Sequence, residues 1–184
     1  MNKSVIRDLD WFRSHVETSN GVYLYEDVDW DVQRAEVVAY SDACLSGLGF
    51  YFKHSDEGFQ CSVPTKPQKD SIFYFEALAV VSVVDAVTRF SKIPSRLLIF
   101  SDNTNTVDIF NSLRSLPPYN DLLKFTVSLL IKHNISLRVL HIPGVDNVIA
   151  DSLSRFENTK AIADCPGLII SSFQPPRVAM GLDF

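Results

Sequence analysis

With 184 residues, 46% of them apolar and 21% charged, the chain is long enough for one domain of ordinary size and too apolar for wholesale disorder. No stretch approaches the roughly 18–20 apolar residues of a membrane span, and MNKSVIRDLDWFRSHVE lacks the continuous apolar run of a secretory signal. A net charge of −5 runs against unaided binding to nucleic acid, whose phosphates Lys and Arg ordinarily neutralise, although a cluster of cation-holding acids would push the charge the same way.

Three cysteines, Cys44, Cys61 and Cys165, are widely spaced and form no CxxC pair. They argue against a disulfide framework and a zinc site, and for a reducing, intracellular compartment (cytoplasm or nucleus). In chain order, Val5, Leu9, Phe12 and Val16 recur at helical spacing and predict an amphipathic helix over 4–18, closed by Ser19-Asn20-Gly21. Residues 19–34 read as a connector. Val37–Tyr40, Phe50–Phe52 and Phe59–Val63 then predict three short strands of an antiparallel meander, broken by Pro64 and Pro67.

A long apolar helix follows over 71–90, then a continuous apolar strand, Leu97-Leu98-Ile99-Phe100, of the buried central type. Helices are expected over 103–113, 119–133 and 146–156, with a half-buried strand around Ile135, Leu137 and Val139. The order implies an α/β domain whose mixed five-stranded sheet, a three-strand antiparallel meander plus two parallel strands, is flanked by helices. Three segments are therefore expected: an N-terminal helix and connector over 1–34, the domain over 35–157, and an extended tail over 158–184 containing Pro175-Pro176.

Four acids need an explanation. Asp42 and Asp102 each end an apolar strand, at the edge where open α/β sheets bind ligands. Taken singly, each has a bland reading as a turn former or helix N-cap. Glu76 shares a helical face with Val80, Val83 and Val87, which should press on the sheet. An unpaired carboxylate there is costly, unless it sits in the first turn and is favoured by the helix dipole. Asp151 in the last helix reads alone as a solvated side chain. Jointly, the four can converge on one sheet edge, where their repulsion calls for cations between them. Hard oxygen donors suit Mg²⁺ or Mn²⁺, and a pair of such ions supports phosphodiester hydrolysis.

The local strings add a resemblance. Tyr40-Ser41-Asp42-Ala43 with Gly47-Leu48-Gly49, Phe75-Glu76-Ala77-Leu78-Ala79, Ser101-Asp102-Asn103, and His141-Ile142-Pro143-Gly144 through Asn147-Val148-Ile149-Ala150-Asp151-Ser152-Leu153-Ser154-Arg155 resemble the ribonuclease H domain of retrotransposon reverse transcriptases. The similarity covers about residues 36–156, and the flanks are similar to fungal elements of the DIRS or tyrosine-recombinase type, with gypsy-like elements as the other candidate.

The resemblance implies a ribonuclease H-like fold and a two-metal endoribonuclease that cuts the RNA strand of RNA–DNA hybrids. It gives Asp42, Glu76, Asp102 and Asp151 the roles of catalytic residues and ligands to two Mg²⁺ ions (Mn²⁺ substituting), and points to Asn103, Asn105 and Asn147 for substrate contact. The implied partners are the hybrid and a polymerase domain in the same polyprotein. The loop 143–147 carries no histidine where many family members have one, and His141 reads as structural. Two rivals are a non-catalytic connector domain of the same fold and a DNA-cutting integrase-type enzyme; retention of all four acids speaks against the first. The apolar stripe of the first helix is expected to pack on the domain, on the absent polymerase part, or on a second copy.

Overall fold

The structure, a computed structural model, describes residues 2–18, 30–64 and 71–181. The expected stop at Ser19-Asn20-Gly21 and the break at Pro67 lie outside the described residues. Strands β1 (Val37–Ala43), β2 (Gly47–Phe52) and β3 (Glu57–Ser62) form the antiparallel meander. Helix α2 (Ser71–Val87) leads to β4 (Arg96–Ser101), which pairs parallel with β1, and β5 (Ser136–His141) pairs parallel with β4. Between β4 and β5 lie α3 (Thr104–Ser112) and α4 (Asn120–His133). After β5, a 3-10 turn over Gly144–Asp146 opens into α5 (Val148–Ser154). The five expected strands and the mixed pairing are all present.

The tail is where the structure departs from expectation. Rather than staying extended, it forms α6 (Asn158–Asp164) and a sixth strand, β6 (Ile169–Ser172), paired parallel with β3. Strand order is therefore β5-β4-β1-β2-β3-β6. Beyond β6 the ring of Phe173 meets Phe50 edge-on at 4.8 Å, and Ala179 is fully buried. The tail thus covers the meander edge and reaches the helical layer, where its turn at Val178–Met180 packs on α4. A four-residue strand without strict alternation offers little periodic signal, so its pairing was hidden in the sequence.

Helix α2 is apolar around almost its whole circumference because it lies between the sheet and α4. Phe75, Leu78, Val80, Val81, Val83, Val84 and Val87 are all buried with it. On the opposite face of the sheet, α5 packs against β1, β2 and β3, and α6 packs on α5. Trp30, in the expected connector, is only 1% exposed. Its indole N–H donates to Ser136 Oγ, and the Arg138 guanidinium stands over its ring. The outer edge of β5 is met by the Asn111 amide, which donates to the Val139 carbonyl and accepts from the Val139 N–H.

Helix α1 (Lys3–Thr18) reaches α4 through polar contacts: Arg7 with Asp121, Lys124 Nζ with Asp8 at 2.9 Å, and the Trp11 indole N–H with Ser128 Oγ at 3.0 Å. Its stripe of Val5, Leu9, Phe12 and Val16 is exposed, so it does not pack on the described part of the domain. No helix among the described residues is long and apolar enough to cross a membrane.

Because Phe173 and Ala179 complete the core, the tail contributes to stability. Phe173→Ala is expected to cost about 1–2 kcal/mol, half or more of the value of burying a large apolar side chain. Thermal melting should register this as a fall of roughly 2–4 °C per kcal/mol in a chain of this size. An unchanged melting temperature would mean that the tail is not part of the cooperative unit.

Candidate active site

The site sits at one end of β1 and β4, and its geometry begins with glycines. A Cβ on Gly49 would lie 2.4 Å from Ser154 N and 2.7 Å from Ala150 O, and a Cβ on Gly47 would lie 2.3 Å from Ser154 O. Only glycine at these two positions of β2 lets the backbone of α5 come down on the sheet. Gly144 does the same for the preceding turn, since a Cβ there would meet Asp102 Oδ2 at 2.9 Å.

Side chains then fix the helix at both ends. Asn147 Nδ2 donates to the Ser41 carbonyl at 3.0 Å, next to Asp42 in β1. At the other end the Ser154 hydroxyl donates to Asp42 Oδ2, while Cys44 Sγ donates to Ser154 O at 3.1 Å and accepts from the Ser46 and Gly47 amides.

This framework gathers three of the four expected acids. Oxygens of Asp42, Glu76 and Asp102 all lie within 4.8 Å of one another. The bland readings account for neither Asp42 nor Glu76, and for Asp102 the N-cap reading fails. Asp42 is inside β1, paired with Gly49, not in a turn. The N-cap of α3 is Asn103, whose Oδ1 accepts from the Thr106 N–H, not Asp102. Glu76 belongs to the second turn of α2, beyond the first turn where the helix dipole favours an acid.

Burial raises all three carboxyls. Glu76 is pushed up to about 9 by desolvation, then by the charges of Asp42 and Asp102. Asp42 is pushed up to about 7 by desolvation, with the Ser154 hydrogen bond acting the other way. Asp102 is raised from the usual carboxylate range by burial, and further by the charge of Asp151.

Asp151 lines the same open cleft, about 690 Å³ in volume, with Asp42, Cys44, Leu45, Glu76, Asp102 and Arg155. It stands apart from the three-oxygen cluster. The Arg155 Nε binds its Oδ1 at 2.6 Å, and Lys160 Nζ is 4.0 Å from its Oδ2.

The three asparagines fare differently from one another. Asn105 is exposed on the first turn of α3, whereas the Asn103 side-chain oxygen is engaged in capping that helix. Asn147 is 1% exposed and its amide is bound to the Ser41 carbonyl, which anchors the turn before α5. His141 is exposed at the end of β5, and its positive form lowers the Asp102 carboxyl. Ser154 and Arg155, which touch Asp42 and Asp151, were not singled out by the sequence. The one available signal was their +3 and +4 spacing from Asp151, which puts Arg155 on the same helical face.

A divalent cation fits the cluster on two grounds. The donors are hard carboxylate oxygens, and Glu76 Oε2 is buried with no hydrogen-bond partner. Asp42, Glu76 and Asp102 are the residues that would hold it.

No family model matches this chain, and no curated protein sequence matches it. Solved structures do. The crystal structure of LC11-RNase H1 in complex with an RNA/DNA hybrid is similar over 64% of this chain and 93% of that one, at 14% identity and a TM-score of 0.54. The N-terminal RNase H domain of a Mycobacterium tuberculosis protein, solved as a fusion with maltose-binding protein, matches 70% of this chain and 96% of that one, at 13% identity and a TM-score of 0.52. The fold is ribonuclease H-like, an α/β architecture with a mixed sheet flanked by helices.

Two outcomes test the site. Between roughly pH 4, where free carboxylates titrate, and the raised values of Asp42 and Glu76, the folded state holds protons that the unfolded chain has released. Stability without divalent cations therefore falls as pH rises through this window. Glu76→Gln should melt several degrees above wild type at pH 8 in a chelator, with the difference shrinking toward pH 4. Adding Mn²⁺ at pH 8 should stabilise wild type and leave the variant nearly unmoved. Equal melting of the two proteins at pH 8 in chelator would contradict the burial argument.

Gly49→Ala should destabilise by about 1–3 kcal/mol, the usual cost of overpacking, because its methyl meets α5 backbone. Calorimetric Mn²⁺ affinity should fall with it; unchanged affinity would separate the glycine from the site.

Proposed function

We propose that this chain is a metal-dependent endoribonuclease that hydrolyses the RNA strand of RNA–DNA hybrids, as part of a retroelement reverse transcriptase. The observation that carries the reading is the convergence of Asp42, Glu76 and Asp102 from β1, α2 and β4 onto one point, with an unpartnered buried oxygen on Glu76. Gathering two buried acids and a half-buried one destabilises a protein that makes no use of cations there. The similarity to LC11-RNase H1, whose crystal structure is a complex with an RNA/DNA hybrid, supports the substrate class. The motif ending in Asp151-Ser152-Leu153-Ser154-Arg155 supports the retroelement context.

In this reading Asp42, Glu76, Asp102 and Asp151 hold two Mg²⁺ ions, with Mn²⁺ able to substitute. Bound there, such ions supply an acidified water and offset the charge on the phosphate. The chain's own residues set the geometry. Ser154 fixes the orientation of the Asp42 carboxylate, and Asn147 locks the β1 carbonyl beside it. Asn105 is exposed for substrate contact, whereas Asn103 and Asn147 act through the backbone they hold. A polymerase domain in the same polyprotein would supply the grip on the hybrid, consistent with the net charge of −5. Catalysis is assigned to the 35–157 segment, with the tail as its structural complement.

The test is cleavage of a labelled RNA–DNA hybrid in Mg²⁺ or Mn²⁺. Wild type should cut the RNA strand and leave duplex DNA intact. Asp102→Asn should lose more than about 100-fold, since even groups one step removed from a metal cost 10–100-fold. Cutting that survives in Asp102→Asn, or an intact hybrid under both ions even with the polymerase segment attached, would overturn the proposal.

A further inference from the structure

Among the four acids of the cleft, one is already engaged by cations of the chain itself. Asp151 Oδ1 accepts from Arg155 Nε at 2.6 Å, one turn further on at the C-cap of α5, and Oδ2 lies 4.0 Å from Lys160 Nζ. Among the described residues no ion pair reaches Asp42, Glu76 or Asp102; the hydrogen bond to Asp42 comes from the neutral Ser154 hydroxyl. Arg155 also lines the cleft, and its positive charge acts on both Asp42 and Asp102. Its side chain is 52% exposed against 28% for Asp151. An ion pair so open to water is easily exchanged, whereas a guanidinium at the rim is well shaped to take two oxygens of a phosphate.

We infer that Arg155 is a positioning residue that masks Asp151 from a second divalent cation until a substrate phosphate draws the guanidinium away. The inference rests on the two-cation reading above. It separates a strong position, which Asp42, Glu76 and Asp102 would hold without substrate, from a weak one that Asp151 would complete. At the weak position an incoming cation must displace Arg155. When the hybrid arrives, one of its backbone phosphates replaces the Asp151 carboxylate as partner of Arg155, and the released carboxylate faces the cleft. Charge is conserved in the exchange, and no covalent bond changes. Second-cation binding and hybrid binding then favour each other, because each removes the obstacle to the other.

The deciding experiment titrates Mn²⁺ into the full chain without nucleic acid, followed by calorimetry and by the electron paramagnetic signal of free Mn²⁺. Wild type should show one strong and one weak site. Arg155→Ala should leave the strong site in place and tighten the weak one by roughly 5- to 100-fold, the usual span of coupling between two sites. Arg155→Lys, which keeps the charge without the fork, should fall between them. Adding Asp151→Asn to Arg155→Ala should abolish the weak site.

In parallel, binding of a non-cleavable 2′-O-methyl hybrid is followed by fluorescence anisotropy. Arg155→Ala should bind it more weakly, with a salt dependence shallower by about one phosphate contact. Identical Mn²⁺ isotherms for wild type and Arg155→Ala would overturn the masking role, and an unchanged salt dependence would overturn the hand-over to phosphate. Failure of wild type to cut a hybrid would count against the proposed function instead, and the Mn²⁺ titration would still decide whether Arg155 masks Asp151.

Discussion

The structure turns on how closely one short helix approaches the sheet. Helix α5 has only seven residues, too few to be stable by its own propensity, so its position depends on contacts. Gly47 and Gly49 remove the side chains that would hold it off, and Leu153, fully buried, fills the space above Gly58. Asn147 and Ser154 then tie its ends to β1, the strand that carries Asp42. Because backbone meets backbone, a shift of α5 carries Asp151, Ser154 and Arg155 with it as one body. The acids of the site are therefore set by packing before any ion is considered.

That packing works against electrostatics. Asp42 and Glu76 are about as buried as the apolar residues around them, and their carboxyls are displaced toward the protonated form by desolvation first and by one another second. The apolar bulk of α2, buried on nearly every side, offsets the cost of carrying Glu76 into the interior. A fold that accepts this penalty holds the three carboxyls nearly rigid, so little reorganisation would remain for a bound cation.

Much of this was legible in the sequence, and the rest was hidden for identifiable reasons. Apolar strand segments running into Asp42 and Asp102 and the apolar face bearing Glu76 are local patterns, which periodicity reports directly, although β1 continues to Ala43 and so takes Asp42 into the ladder. The six-strand order was only partly accessible: β6 is short, and its pairing with β3 joins segments more than a hundred residues apart. Trp30 sits in a stretch without periodicity, and only tertiary contact shows it to be core. The stripe on α1 was read correctly as amphipathic, yet the helix meets the domain through its polar face, a choice that spacing cannot reveal. The resemblance pointed to Asn147 for substrate contact, whereas the carbonyl its amide satisfies belongs to a strand about a hundred positions earlier, a pairing no local pattern reports. The counter-ion of Asp151 was encoded four residues away, and only its geometry distinguishes it from an ordinary solvated pair.

The amide of Asn111 has a meaning for the molecule's behaviour in company. Bonded to both backbone groups of Val139, it imitates one rung of a neighbouring strand along the outer side of β5. At the far side of the sheet the last strand is four residues long and runs into Pro175-Pro176, which cannot extend a ladder. An open strand margin is a template on which a second chain can be laid down, and proteins that leave one exposed risk fibrous growth. Here one margin is plugged by a side chain and the other is cut short, so a crowded solution of this chain has little on which to polymerise strand by strand.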